Sequence, residues 1–149
     1  MYTYKTKQEV TQAAMMFIAE NMKELPLINN PSLATEAMTL KIGGEKREHF
    51  AVMFLDTKHK LIEHEILFSG TIDGASVYPR EVVRRALELN ASAIIIGHNH
   101  PSGDCTPSKA DETITMRISN ACELLEIRML DHLIVSKAGK FSFAENGLI

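Results

Sequence analysis

A run of small and β-branched apolar residues, ASAIIIG at residues 91–97, constrains the fold more than any other stretch. Its length and composition predict a short buried strand. Upstream, Pro79 suits a first helical turn, and Val82, Val83, Ala86, Leu87 and Leu89 predict a helix over 80–89. Downstream, Ser108 opens a second helical stretch, ADETITMRISNACELL, followed by a strand, MLDHLIVS, and a hairpin-like tail, AGKFSFAENG. From Glu48 the apolar period is two. EHFAVMFLD sets Phe50, Val52 and Phe54 on one face, TKHK turns, and LIEHEILFSG returns as an antiparallel partner. Hairpin, helix, strand, helix, strand implies an α/β layered sandwich with a mixed sheet.

Two helices precede this pattern. Residues 8–25 carry an apolar stripe at Val10, Ala13, Ala14, Phe17, Ile18, Met22 and Leu25, ended by Pro26. Met15, Met16 and Met22 follow helical spacing and read as packing, not as a copper site. Ser32 is the expected N-cap of a second helix reaching about Leu40, before Gly43-Gly44. The expected division is a helical extension over 1–42 and a domain over 43–149, all within the size of one ordinary globular unit.

Charge and cysteine content narrow the function. The net charge is −3 with no Lys/Arg block, so no nucleic-acid surface is advertised. Two isolated cysteines make no disulfide framework. The N-terminus lacks the layout of a signal peptide and no apolar run spans a bilayer, so a cytoplasmic protein without membrane attachment is expected.

The chemistry sits where the buried run ends, in HNHPSGDCTPSKAD. His98 and His100 are two apart, so in extended backbone both imidazoles point the same way. Sites in open α/β sheets gather beyond the carboxyl ends of strands. Pro101-Ser102-Gly103 turns the chain, Pro107-Ser108 starts the next helix, and Asp111 in its first turn can reach back toward the histidines. Two imidazoles, a carboxylate and a fourth position for water form the ligand set of a catalytic zinc site, although other divalent metals share such donors. Ser108-x-x-Asp111 is also a capping box, and both roles are compatible. The letters HNH do not signal an HNH nuclease, because extended backbone points Asn99 away from both histidines.

His98, His100, Ser108 and Asp111 match the H-x-H-x7-S-x-x-D motif of JAMM (MPN+) metalloproteases. The segments GTIDGASVYPREVVRRAL, IIIGHNHPSGDCTPSKADETITMRI and LLEIRMLDHLIVS resemble the RadC family, also called UPF0758, over roughly residues 45–149. The resemblance implies a cytidine-deaminase-like α/β/α fold and a JAMM/MPN domain over 43–149. It further implies Zn2+ held by His98, His100 and Asp111, with Ser108 hydrogen-bonding the developing oxyanion or the attacking water. The motif includes an upstream glutamate as general base. Glu48 is the candidate, in phase with Phe50 and Phe54, and Glu63, Glu65 and Glu81 compete for the role.

The implied activity is hydrolysis of an amide bond, peptide or isopeptide, by a metal-activated water, with a peptide or protein substrate. The alternative is a non-catalytic binding module associated with DNA repair. A deaminase fits the fold class but lacks the Cys ligands and H-x-E pairing of those enzymes. Longer RadC proteins carry a helix-hairpin-helix-type region, and no comparable Gly-containing hairpin is seen here, which weakens a DNA role. Cys105 stands where the family usually has Pro, either as loop variation or as a thiolate that blocks the open position. Tyr78 stands where many relatives have His. Asp131-His132 is either a pair that orients a ligand histidine or a buried polar pair that closes the sheet, the second being favoured.

Overall fold

A computed structural model describes residues 3–4, 6–24, 31–71 and 76–149, with residues 19–24 described by their backbone alone. The chain runs α1 (Lys7–Glu24), α2 (Pro31–Met38), a π-helical turn (Thr39–Gly43), β1 (His49–Leu55), β2 (Leu61–Ser69) and α3 (Pro79–Glu88). It continues through β3 (Ala93–Asn99), α4 (Lys109–Leu124), β4 (Arg128–Val135) and β5 (Lys140–Ser142). The five strands form one sheet in the order β2-β1-β3-β4-β5. β1 and β2 are the expected antiparallel hairpin, β1 pairs antiparallel with β3, β3 and β4 are parallel, and β5 folds back on β4. The sheet is therefore mixed, and the α/β class holds.

β3 is the middle strand and is buried at every position. Its parallel neighbour β4 is reached through α4, as a parallel pair requires a crossover. One face of the sheet packs Phe50, Val52, Phe54, Ile94 and Ile96 against α3 and α4, through residues such as Val82, Ala86, Ile114 and Ile118. The other face packs Ala51, Met53, Ile95 and Leu133 against Ala34, Ala37 and Met38 of α2 and Ile42 of the π-helical turn. Two helical layers thus sandwich the sheet. β1 is buried on both sides, and its alternation sorts residues between two cores instead of between core and water.

Gly97 permits the second layer to come close. A Cβ built there would lie 2.5 Å from the Met38 sulfur, and Met38 is wholly buried. The strand turns away from hydrophobic packing at this residue, directly before His98.

Several local expectations need correction. Ser32 is not an N-cap, because α2 already begins at Pro31, whose fixed φ and missing N–H suit a first helical position. The helix over 80–89 is one residue earlier, Pro79–Glu88. The α1 stripe does not all face inward. Val10, Met16 and Phe17 are exposed, while Thr11, Ala14, Met15 and Ile18 are partly buried, so the packed face is rotated from the apolar one. Leu25 and Pro26 lie outside the described residues, as does the side chain of Met22. Among the described residues no helix is long and apolar enough to cross a membrane.

Candidate metal centre

His98 lies in β3 and His100 one residue beyond its end, so the strand pleat aims both rings to the α4 side of the sheet. Asp111 is in the first turn of α4, whose N-cap is Ser108. The capping box forms: Ser108 Oγ accepts from the Asp111 N–H at 3.0 Å, and Asp111 Oδ2 accepts from the Ser108 N–H at 2.8 Å. This cap fixes the carboxylate over the strand end. It therefore serves the site and does not compete with it.

The three side chains converge. His98 Nε2 lies 2.8 Å from His100 Nε2 and 3.1 Å from Asp111 Oδ1, and His100 Nε2 lies 3.2 Å from Asp111 Oδ2. A tetrahedral zinc with bonds of about 2.0–2.1 Å sets its ligand atoms about 3.3 Å apart. Among the described residues, His98, His100 and Asp111 are the cluster close enough to hold a metal ion. His98 and Asp111 are buried, and His100 is partly open to solvent.

The hydrogen bonds around His100 make the donor set suitable. Its Nδ1 faces the Asp104 carbonyl at 2.8 Å and must donate to it, which leaves Nε2 with a bare lone pair in the neutral ring. That lone pair looks at a carboxylate and a second imidazole, a pocket of negative potential that a cation relieves. The Asp111 carboxyl responds accordingly. Burial pushes it up, but without a cation an imidazole proton takes its place, and hydrogen bonds from His100 and His98 outweigh burial and hold the carboxyl well below the usual carboxylate range. His100 is held above its ordinary value, chiefly by the bond to Asp111 and against burial, with the Asp104 carbonyl and the charges of Asp111 and Glu48 adding to the rise.

Glu48 enters here through space. The β1–β3 register pairs Phe50 with His98, and the charge of Glu48, two residues before Phe50, acts on His100. The competing glutamates are engaged elsewhere. Glu65 takes both nitrogen faces of Arg85 at 2.6–3.2 Å, and Glu81 pairs with Arg84 at 2.7 Å. Glu63 is opposite Phe54 in the outer part of the hairpin, where its charge acts on Lys41. A cleft of about 410 Å3 opens beside His100, walled by Gly43, Gly44, Lys46, Gly103 and Lys137.

A family model described as "RadC-like JAB domain" matches residues 28–148. The chain belongs to the RadC family. A "UPF0758 protein" of Haemophilus influenzae is 46% identical over 142 residues, covering 95% of this chain and 64% of that protein. Another "UPF0758 protein", from a Polaromonas species, is 46% identical over 140 residues, covering 94% of this chain and 62% of its own length. This chain thus spans less than two thirds of the length of these curated relatives. Its domain is of the JAMM/MPN type, and its motif residues His98, His100, Ser108 and Asp111 stand together at one strand end.

Other RadC-family positions sort by geometry. Cys105 Sγ lies 3.4 Å from Ser136 Oγ and is not part of the His–His–Asp cluster, so a blocking thiolate is not what the loop holds. Tyr78 is exposed, precedes α3 and meets Phe68 edge-on with Arg80 over its ring. The Asp131 carboxylate accepts from the His132 backbone N–H at 2.7 Å, but the two side chains diverge. Asp131 accepts from Ser142 Oγ at 2.6 Å and from the Ala144 N–H at 2.9 Å, closing β4 on the tail. His132 turns the other way, with Nε2 only 2.8 Å from His98 Nδ1. One residue at the site escapes sequence reasoning. Thr115 lies one turn after Asp111, a spacing that could have signalled it, and bonds the His132 ring. Asn99 faces the opposite side from the histidines, as extended backbone requires, and its neighbours in space could not be read from spacing.

Proposed function

We propose that this chain is a zinc-dependent hydrolase of the JAMM type that cleaves an amide bond, peptide or isopeptide, in a polypeptide substrate. The observation that carries the reading is the convergence of three side chains: His98 Nε2 on His100 Nε2 and Asp111 Oδ1, and His100 Nε2 on Asp111 Oδ2, at 2.8–3.2 Å. Two neutral imidazole nitrogens and a carboxylate are the borderline donors that suit zinc in a hydrolytic site. Bound there, zinc would supply Lewis-acid polarisation of a carbonyl and lower the pKa of a water toward neutrality.

The chain's own residues do the rest. Glu48, whose charge acts on His100, takes the proton from the attacking water and returns it to the leaving amine. The Ser108 hydroxyl accepts from the Asp111 N–H, which leaves its own proton free to donate to a developing oxyanion. The cleft beside His100 has room for the substrate chain.

The test is a peptidase and isopeptidase screen on zinc-loaded protein, with Glu48→Gln beside wild type. The reading expects turnover in wild type, and in Glu48→Gln full zinc content with activity reduced at least about 100-fold. Turnover unchanged in Glu48→Gln would remove Glu48 from the mechanism. Zinc bound tightly with no turnover across the screen would favour a binding module that keeps the metal for its fold.

A further inference from the structure

Behind the metal-facing nitrogens runs a closed ring of polar contacts. Thr115 Oγ1 lies 2.6 Å from the Asp111 carbonyl oxygen and 2.5 Å from His132 Nδ1. His132 Nε2 lies 2.8 Å from His98 Nδ1, and His98 Nε2 returns to the Asp111 carboxylate at 3.1 Å. The His98 ring is 1% exposed and His132 and Thr115 are 0% and 1% exposed, so water does not substitute for any of these partners.

Proton counting gives the ring a direction. A carbonyl has no proton, so the contact between Thr115 and the Asp111 carbonyl uses the one hydroxyl proton that Thr115 has. Toward His132, Thr115 can then only accept, and His132 carries its proton on Nδ1. His132 is wholly buried, and the neutral ring that fits such a place carries one proton and no second. Its Nε2 is a bare acceptor, and His98 must donate from Nδ1. That leaves the His98 lone pair on Nε2, facing His100 and Asp111. Ring orientation is fixed as well: His132 stacks on Phe143 at 4.5 Å and meets Phe50 edge-on at 6.1 Å.

We propose that Thr115 and His132 are positioning residues that hold His98 in its Nδ1–H tautomer, with its Nε2 lone pair presented to the metal. The inference rests on the zinc reading above and extends it to two side chains that touch neither metal nor substrate. An imidazole free to choose its tautomer would offer an N–H to the cation part of the time. The relay removes that state and raises the basicity of the ligand nitrogen.

The experiment measures zinc affinity by chelator competition for wild type, Thr115→Val, Thr115→Ser and His132→Phe, each with a thermal-unfolding curve. Thr115→Val and His132→Phe are expected to weaken zinc by about 10–100-fold, and Thr115→Ser, which keeps the hydroxyl, to bind within about threefold of wild type. A purely structural role would lower Tm in the first two and leave their affinity unchanged, and that result overturns the proposal. Should both variants fail to fold, nitrogen chemical shifts of 15N-histidine-labelled wild type decide it. Protons on Nδ1 of both His98 and His132 support the relay, and a proton on His132 Nε2 overturns it. Wild type that takes up no zinc would instead sink the metal reading, which the same tautomer spectrum of the zinc-free protein would separate from failure of the relay.

Discussion

Asn99 accepts a hydrogen bond from the backbone N–H of His49 at 2.6 Å and donates to the carbonyls of Arg47 at 2.8 Å and Glu45 at 3.3 Å. These bonds bracket Glu48 and tie its segment to β3, the strand that carries His98. Asn99 is buried, so Asn99→Leu strands backbone groups without partners. We expect a loss of about 1–3 kcal/mol in urea unfolding at unchanged m-value. Zinc content should be unaltered, because Asn99 lies on the opposite face of the strand from the ligands.

Gly97 and Met38 are predicted to be coupled. Gly97→Ala forces the buried Met38 side chain out of its place in a packed layer and should cost about 1–3 kcal/mol. Met38→Ala alone leaves a cavity and should cost about 2–5 kcal/mol. The double variant should lose less than the sum of the two, a non-additivity that a double-mutant cycle reads directly.

His64 makes stability depend on pH. Burial, helped by the charge of Lys41, pushes its imidazole down to about 3 from an ordinary 6.5. Its Nε2 has no hydrogen-bond partner among the described residues. The unfolded chain gains a proton near pH 6.5 that the folded chain refuses, so this contribution is complete above that pH and is lost as pH falls toward 3. Between pH 8 and pH 5 the loss is about 2 kcal/mol. His64→Leu should flatten this limb of the stability profile and cost little at pH 8.

The two thiols should differ sharply in reactivity. Cys122 is fully buried, and burial pushes its thiol up to about 11. Cys105 is partly open. With a thiol reagent at pH 8, one fast equivalent is expected, abolished by Cys105→Ser, with Cys122 reacting only on unfolding. Zinc content should be the same in Cys105→Ser, since its sulfur faces Ser136.

Local pattern carried most of the architecture, and the limits of legibility follow from what is local. The β1–β2 hairpin, Pro79 at the first helical position and the apolar run of β3 each follow from short-range rules, and the structure has all three. So does the approach of His98 and His100, which needs only the strand pleat, and that of Asp111, which needs only the Ser108 cap. The N-terminal face of the sheet was harder. An apolar stripe does not reveal which helix covers it, and α1 exposes Phe17 while burying part of Thr11. His132 illustrates the same limit within the site. Sequence places it on β4 beside Asp131, but its alignment with His98 arises from the parallel β3–β4 register and from Thr115 on the intervening crossover helix. Residues brought together by tertiary pairing leave no spacing signal.

The metal content of the purified protein tests the central claim most directly. Wild type and His100→Ala are prepared without added metal, and again after zinc is restored and excess removed. About one zinc per chain in wild type and none in His100→Ala is the predicted result. Equal zinc in both proteins, or none in wild type even after zinc is restored, would contradict a metal centre at His98, His100 and Asp111.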